Sequence, residues 1–386
     1  MKILLKNAKV FDAKTSYIPL DVLVDGDKIV QVAPGLQAPD GARVIDLTGY
    51  TLLPAFVDAH IHAGIPERDK VGFRDDILTK LARLGVSLCK DDGLLTSYPL
   101  EPYMEFLAAC KTPQHARVVT AGRYIDVDKG YGMGPDPRMK WGIEITTARE
   151  AADAVSYQYK AGVNGIKIGI SDRGPELTDE QIRAITDRAK EHGIYTTAHV
   201  GSARALQKLV DNGIGEGAHT PADEMPDSLI AQMVNLGVSM ITTVGEPQKE
   251  IHDMDRHMNP GKTDEEILAG QLARHNTMLN NLKRFHEAGG LIAIGTDLMM
   301  SDAKARIPVD ELRCLTAVGM SVQQAVACGT VNGVKVCGLS DQGLVQEGLM
   351  ASLIAIPGEL DETFEKLDPP EFVMNQGVIL RDERSA

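Results

Sequence analysis

Two histidines one residue apart, His60 and His62, stand at the end of an apolar run that begins near residue 52. Side chains at positions i and i+2 leave a strand on the same face, so both imidazoles can reach one metal ion. Taken alone, the pair has a second interpretation, because two core or rim histidines would give the same short motif. Polar residues elsewhere in the chain decide between the two.

Four further residues with metal-binding or titratable side chains stand in or at the ends of later apolar segments: Lys167, His199, His219 and Asp297. In a barrel of parallel strands, the carboxyl ends of the strands meet at one face, and that face carries the active site. Histidines that only fill a core would have no reason to occupy these positions together. The pattern therefore predicts that all six residues meet at one metal centre.

Strand-like and helix-like segments alternate eight times through the middle of the chain. The predicted strands cover residues 51–60, 86–90, 117–121, 165–170, 195–199, 215–219, 238–243 and 291–295. The helices between them have recognisable ends. The capping boxes and C-terminal glycines are Thr147 with Glu150, Thr178 with Gln181, Thr263 with Glu266, and Gly193, Gly213 and Gly289. Eight β–α units predict an α/β fold that closes as a (β/α)8 TIM-type barrel.

The fourth predicted strand turns Lys167 toward the barrel axis. By period-2 alternation, Ile166, Ile168 and Ile170 share the face that packs on the helices, while Lys167 faces inward between two glycines. An unpaired ammonium would be costly there. One interpretation is therefore a structural salt bridge to a nearby carboxylate such as Asp297.

Composition limits the classes of function. The chain has 386 residues with 43% hydrophobic content, enough for one large domain and a smaller one. Asp and Glu exceed Lys and Arg by 14, which disfavours nucleic-acid and anionic-membrane partners. The five cysteines lack CxxC spacing, and no apolar run approaches a signal peptide or a membrane span, so we expect a cytoplasmic protein with reduced thiols. A homo-oligomer acting on a small molecule is expected.

Five short motifs, in order along the chain, carry a family resemblance. They are VDAHIH at 57–62, GIKI at 165–168, AH at 198–199, AH at 218–219 and GTD at 295–297. This set resembles the amidohydrolase superfamily of metal-dependent hydrolases, and it is most similar to the branch with Xaa-Pro dipeptidases and imidazolonepropionase-like enzymes. The resemblance extends from the strand at Ile3 to the segment at 377–380.

The resemblance implies a binuclear centre. His60, His62 and Asp297 would hold one divalent metal ion and His199 and His219 the other, with zinc expected for these N and O ligands. The matching lysine of the family carries a carbamate, so Lys167 would be N6-carboxylated and would bridge both metals beside a hydroxide. Asp297 would take the proton of this nucleophile and pass it to the leaving nitrogen.

The resemblance also implies a second, smaller domain. Strand-like segments with turn residues between them fill residues 1–49 and return at 343–356 and 372–380. As in the family, the two ends are expected to meet in one β-sandwich. The predicted division is a sandwich of residues 1–50 and 336–386 and a barrel of residues 51–335.

Substrate-binding residues are sought in the loops. Tyr131 stands where dipeptidase-like relatives have a Gly-Gly-His-Gly turn, and its phenol can donate a hydrogen bond to an oxyanion, although an exposed loop tyrosine is the alternative. Arg204 and Arg256 are candidates for binding a substrate carboxylate, with solvated surface arginines as the alternative.

The polar loop 245–260 is a candidate lid; its His252 and His257 are interpreted as loop residues. Met299 and Met300 are expected either to form an apolar wall or to pack beneath the sandwich.

Amide hydrolysis is favoured over deamination. Mononuclear deaminases of the superfamily typically have His-x-x-Glu after the fifth strand, whereas residues 199–202 here read HVGS. We therefore predict a binuclear metal-dependent amidohydrolase that cleaves an N-acyl amino acid or a short dipeptide. Two alternatives stay open: a cyclic amidase that opens a lactam, imidazolone or hydantoin-like ring, and a catalytically silent scaffold with the same fold.

Overall fold

The computed structural model describes residues 1–63, 73–95, 99–133, 140–170, 174–245, 256–257, 259–299 and 304–384. Strands and helices alternate through most of these ranges. The strands are β1 (Lys2–Phe11), β2 (Ser16–Asp25), β3 (Lys28–Ala33), β4 (Arg43–Asp46), β5 (Tyr50–Pro54), β6 (Phe56–Ile61), β7 (Val86–Asp91), β8 (Arg117–Thr120), β9 (Ile125–Asp126), β10 (Ile143–Glu144), β11 (Gly165–Gly169), β12 (Tyr195–His199), β13 (Glu216–Ala218), β14 (Ser239–Thr242), β15 (Ile292–Ile294), β16 (Leu353–Pro357), β17 (Phe372–Asn375) and β18 (Val378–Asp382). The helices are α1 (Asp75–Arg83), α2 (Leu100–Ala109), α3 (Ala148–Ala161), α4 (Asp179–His192), α5 (Ala203–Asp211), α6 (Asp227–Leu236), α7 (Asp264–Glu287), α8 (Val309–Ala317), α9 (Val322–Cys328) and α10 (Val331–Val336).

The two ends of the chain share one eight-stranded sheet. Its order is β18-β17-β16-β5-β1-β2-β3, and β4 pairs with the first half of β1 on the side where β5 pairs with the second half. One face buries a compact apolar cluster that includes Ile3, Leu5, Leu353 and Phe372. The alternating apolar residues noted at both ends of the sequence therefore serve a common core. The packing of two sheets into a sandwich stays a prediction.

The predicted first strand, residues 51–60, is two strands in the structure. β5 belongs to the eight-stranded sheet, whereas β6 belongs to a parallel sheet with β7. The chain changes partner at Ala55, whose N–H donates to the carbonyl of Ser352, while the next N–H, of Phe56, donates to the carbonyl of Gly85. Both halves are apolar and buried, so hydrophobicity alone did not reveal the break.

Two parallel sheets position the candidate site. One has the order β6-β7-β8 and the other β11-β12-β13-β14-β15, and helices connect the strands, so the α/β class is confirmed. Backbone hydrogen bonds also link the two sheets. Asn164 donates to Thr120 over 2.9 Å before β11, and Asp297 donates to His60 over 2.9 Å after β15. The carboxyl ends of β6 and β15 therefore lie side by side.

The helices form where local sequence signals predict them. Thr147, Thr178 and Thr263 each cap a helix in a complete capping box, as expected. The helix α4 is typical: its buried face includes Ile182, Ile185 and Ala189, and it ends at Gly193 with a φ of 68°. No helix among the described residues is both long and apolar enough to cross a membrane.

Gly295 permits the close approach of β15 to β6. A Cβ atom at this position would lie 2.5 Å from Cβ of His60 and 2.8 Å from its backbone N. Real Cβ atoms do not approach other heavy atoms so closely, so any larger residue would push the two chain segments apart. The absence of a side chain at Gly295 therefore helps to hold Asp297 beside His60.

We expect Gly295→Ala to lower the free energy of unfolding by about 1–3 kcal/mol, because the added methyl group overpacks the contact. Chemical denaturation measures this change. The matched control is Gly270→Ala within α7, where the added Cβ atom would lie 3.6 Å from Nη1 of Arg274, an ordinary van der Waals contact. Replacing a helical glycine by alanine there should raise the free energy of unfolding by about 0.5–1 kcal/mol. Wild-type stability in Gly295→Ala would contradict the packing argument.

Candidate metal centre

Three of the predicted ligands come together at the carboxyl ends of β6 and β15. His60 Nε2 lies 3.5 Å and His62 Nε2 lies 3.4 Å from Oδ1 of Asp297. Together these side chains offer three ligand atoms that lie within 4.8 Å of one another. Asp297 has a φ of 52°, an uncommon backbone conformation for a residue other than glycine. Strain of this kind is often found at functional sites.

The ring of His60 supports a metal interpretation of this cluster. The side chain is completely buried; its Nδ1 lies 3.0 Å from Oδ2 of Asp92, whereas its Nε2 has no hydrogen-bond partner within the described part of the chain. Buried polar atoms are rarely left unpaired, because desolvation without a partner is costly. His62 is held differently, since its Nδ1 lies 2.9 Å from the carbonyl of Gly93. Two imidazoles and one carboxylate fit a divalent ion such as Zn²⁺.

His199 and His219 lie next to this cluster. The ring centroid of His219 is 4.7 Å from that of His60 and 4.7 Å from that of His199. Nδ1 of His219 is 2.7 Å from Oγ1 of Thr243, which leaves Nε2 for another partner. Burial, together with the charge of Lys167, lowers the pKa of His199 to about 3. Burial and the neighbouring His60 lower the pKa of His219 well below its ordinary value. Both rings are therefore neutral, as a metal ligand must be.

Asp297 is ionised in this setting. Burial alone would raise the pKa of its carboxyl group, but the neighbouring imidazoles of His60 and His62 outweigh burial and hold the pKa well below the usual range. An ionised carboxylate between imidazoles can serve as a ligand or as a proton acceptor.

Lys167 lies inside the barrel-like arrangement, as its position on β11 predicts. Its side chain is only 1% exposed, and Nζ donates to Oδ2 of Asp92 over 3.0 Å. The salt-bridge interpretation predicted a nearby carboxylate, such as that of Asp297, as the partner of Lys167. In the structure the partner is the carboxylate of Asp92. A carbamate on Lys167 stays a prediction.

Asp92 belongs to the site but was not among the residues predicted from the sequence. Its Oδ2 also accepts from Thr197 Oγ1 at 3.2 Å and lies 3.0 Å from Nδ1 of His60. Its Oδ1 lies 3.6 Å from Nζ of Lys90, which pairs in turn with Glu216. Its position in the sequence could have revealed it, because Asp92 comes immediately after β7. The other candidate residues likewise stand in or at the ends of parallel strands.

Removal of the Asp92 carboxylate should be strongly destabilising, because two fully buried lysines would lose their shared partner. We expect Asp92→Ala to lower the free energy of unfolding by about 3–5 kcal/mol. Denaturation of the purified variant measures the loss. Asp264→Ala is the control: it removes an exposed partner of Arg256, and no measurable change is expected. Equal stability of the two variants would refute a structural role for the buried network.

A cleft of about 450 Å³ opens above these residues. His62, His199, His219 and Asp297 lie on its wall, together with Tyr131. The ring of Tyr131 stacks on His199 with the centroids 4.0 Å apart. Burial and the charge of Asp297 raise the pKa of Tyr131, so its phenol stays protonated and can donate a hydrogen bond. Tyr131 therefore lies beside the candidate ligands, and its electrophilic role stays a prediction.

The amidohydrolase family model matches residues 51–380. The chain belongs to this family. Its members are hydrolases that act on C–N bonds of small molecules and are generally metal-dependent, and the chain is an enzyme of this kind.

Individual family members show the extent of the similarity. The chain is 24% identical over 348 residues to an imidazolonepropionase of Cutibacterium acnes. The aligned region covers 87% of this chain and 83% of that protein. A prolidase crystallised with N-methylphosphonate-L-proline has a TM-score of 0.81 at 18% identity, covering 99% of this chain and all of the other. A Xaa-Pro dipeptidase with bound methionine has a TM-score of 0.78 at 20% identity, covering 98% and 99%. These structures share a TIM-barrel-like α/β fold with the chain.

The two arginines proposed for this amidohydrolase's substrate do not line the cleft. Nη1 of Arg204 lies 3.2 Å from Oε1 of Glu176, and Nη2 of Arg256 lies 2.8 Å from Oδ2 of Asp264. Both side chains are about half exposed, at 55% and 49%. The structure therefore favours the surface-arginine interpretation. His252, Met300 and most of the loop 245–260 lie outside the described residues, while Met299 lines the cleft.

We expect Arg204→Ala and Arg256→Ala each to change KM by less than about twofold, because exposed ion pairs of this kind contribute little. Steady-state kinetics with any hydrolysed substrate measure this. An increase in KM of tenfold or more in either variant would restore that arginine as a substrate-binding residue.

Proposed function

We propose that this amidohydrolase is a binuclear metal-dependent enzyme that cleaves the C–N amide bond of a small substrate. The observation that carries the proposal is the unpaired, fully buried Nε2 of His60, which faces Asp297 beside His62. His219 and His199 add two neutral imidazoles: the ring centroid of His219 lies 4.7 Å from that of His60, and the centroid of His199 lies 4.7 Å from that of His219. Five potential ligands in one place exceed what a single structural hydrogen-bond network needs.

The ligands divide into two groups in the proposed centre. His60, His62 and Asp297 would hold one metal ion, and His199 and His219 would hold the other, with zinc the expected ion. The neutral amine of Lys167 would add carbon dioxide and release a proton, and the N6-carboxylated lysine would then supply an anionic ligand for both ions. Carboxylation requires that Nζ of Lys167 gives up its ion pair with Asp92. The ion pair therefore competes with the carboxylated form of the lysine.

The chain's own residues orient the substrate and move its protons. Bound metal ions supply a Lewis acid for the scissile carbonyl and lower the pKa of a water molecule toward neutrality. Asp297 accepts the proton of the attacking water on its carboxylate and returns it to the leaving nitrogen. Tyr131 donates its phenolic hydrogen to the carbonyl oxygen as that atom gains charge. Asp92 holds Nδ1 of His60, so that Nε2 points toward Asp297.

The proposed architecture places this centre at the top of a closed barrel. The two parallel sheets together have eight strands, and the hydrogen bonds at Asn164 and Asp297 support their closure into a (β/α)8 barrel of residues 51–335. Residues 1–50 and 336–386 form the β-sandwich domain in this proposal. A homo-oligomer remains part of the proposal.

N-acyl amino acids and short dipeptides are the first proposed substrates. The likeness to a prolidase that binds a phosphonate analogue of an acyl-proline supports this class. A cyclic amidase is the second candidate, because the chain is similar over most of its length to an imidazolonepropionase. A panel of N-acyl amino acids, dipeptides, lactams and hydantoins, assayed with zinc-reconstituted protein, separates the two.

Metal content tests the ligand assignment. We expect about two zinc ions per chain in the wild-type protein after reconstitution, and His60→Ala and His199→Ala should each lose metal and activity, since each loses a ligand. Elemental analysis gives the stoichiometry, and Arg204→Ala serves as the control. Full occupancy in both histidine variants would refute the assignment, and a wild-type protein that binds no metal would favour the scaffold alternative.

Lys167→Ala distinguishes a carbamate bridge from a structural lysine. If Lys167 supplies an anion, the variant has a vacant space of carboxylate shape between two cations, and acetate or propionate should restore activity and metal binding in proportion to its concentration. If Lys167 is only the partner of Asp92, added carboxylate should have no effect, and the variant should lose stability while it retains metal. Activity, metal content and unfolding measured across a series of short carboxylic acids decide between the two.

A further inference from the structure

Four large apolar side chains, each from a separate segment of the chain, line the cleft. Leu95 follows β7, Trp141 precedes β10, Met278 lies on α7, and Met299 follows Asp297. We name these four residues the apolar wall. Each is partly exposed, and Met299 is 46% exposed, which is unusual for a large apolar side chain.

The position of Trp141 is fixed by the backbone around it. Its N–H donates to the carbonyl of Gly132 over 2.9 Å, and its carbonyl accepts from Nε of Arg123 at 3.3 Å. The Arg123 guanidinium also donates to the carbonyl of Gly142 over 2.8 Å. The backbone that carries the indole is therefore held at the cleft before any ligand arrives, which reduces the entropy lost on binding.

The same cleft is also lined by the candidate metal ligands His62, His199, His219 and Asp297. Among the described residues that line the cleft, Asp297 is the charged carboxylate, and no lysine or arginine is present. A ligand that fills the cleft therefore needs a polar group for the histidines and a bulky apolar group for the wall. Exposed apolar surface within a cleft is typical of a ligand site.

We infer that the substrate carries an aromatic or similarly bulky apolar group beside its scissile amide, and that Trp141 and Met278 select for this group. The inference rests on the proposed function and narrows it. An aromatic ring packs favourably on an indole face and against a thioether sulfur, and these contacts add to the burial of apolar area. A methyl group in the same place would leave most of the wall in water.

Trp141 is the single tryptophan of the chain, so its fluorescence reports binding without any chemical step. The probes are 1-phenylpropan-2-one and butan-2-one, two ketones that lack a hydrolysable bond and differ in the aromatic ring. With the full-length, zinc-reconstituted protein, we expect the phenyl ketone to change the emission and to bind at least about tenfold more tightly. Equal affinities, or no change in emission, would overturn the inference.

Met278→Ala tests the wall while keeping the reporter. It should weaken binding of the phenyl ketone by about fivefold and leave binding of butan-2-one unchanged, because only the aromatic ring reaches the sulfur. The matched control is Leu272→Ala, on the same helix, whose side chain is 49% exposed and does not line the cleft. An equal loss for both ketones, or the same loss in both variants, would contradict selection by Met278.

Kinetics separate this inference from the proposed function. N-acetyl-L-phenylalanine should be hydrolysed with a kcat/KM at least about tenfold higher than N-acetyl-L-alanine, and Met278→Ala should reduce that ratio. Hydrolysis without a preference would overturn the inference and leave the proposed function intact. Tight binding of the phenyl ketone without hydrolysis of any amide in the panel would support the wall and overturn the proposed function.

Discussion

The carboxylate of Asp92 is the contact on which the site depends, because it joins four strands of the parallel sheets. It follows β7 directly, meets His60 of β6 and Lys167 of β11, and accepts from Thr197 of β12. Burial would raise its pKa, but Lys167, Lys90 and His60 together hold the pKa well below its usual range, so the group stays ionised. A single buried anion thus sets the relative positions of a proposed ligand and a proposed bridging residue. Such a contact is stable only while all its partners are present.

A second constraint is the neutrality of the imidazoles. His199 and His219 lie among other rings and near the Lys167 ammonium, where another positive charge would be costly. The same environment that keeps these rings unprotonated leaves their nitrogens available as ligands. The left-handed backbone of His219, with a φ of 77°, and of Asp297 is maintained by the surrounding strands. The geometry of the site is therefore imposed by the fold and not by the local preferences of its residues.

Much of this arrangement could be predicted from the sequence, and the exceptions have physical reasons. The His-x-His spacing, the polar residues that end apolar segments and the capping boxes are local patterns, and the α/β class follows from them. The family follows from the resemblance that the five motifs carry. Asp92 has no such pattern, because its role arises from contacts with residues that are far away in sequence. Arg204 and Arg256 are candidates by their charge and by their position after strands of the active face, and neither property reveals which way a side chain points. The break at Ala55 was hidden because β5 and β6 are equally apolar.

The eight-stranded sheet has a consequence for biosynthesis. β5 pairs on one side with β1 and on the other with β16. Pro54 of β5 pairs with Leu353 of β16, so these two strands are separated by roughly 300 residues in sequence. During translation β5 presents an open edge until β16 has left the ribosome. An open, apolar edge invites pairing with other nascent chains. The rate at which the ribosome delivers β16 therefore competes directly with aggregation.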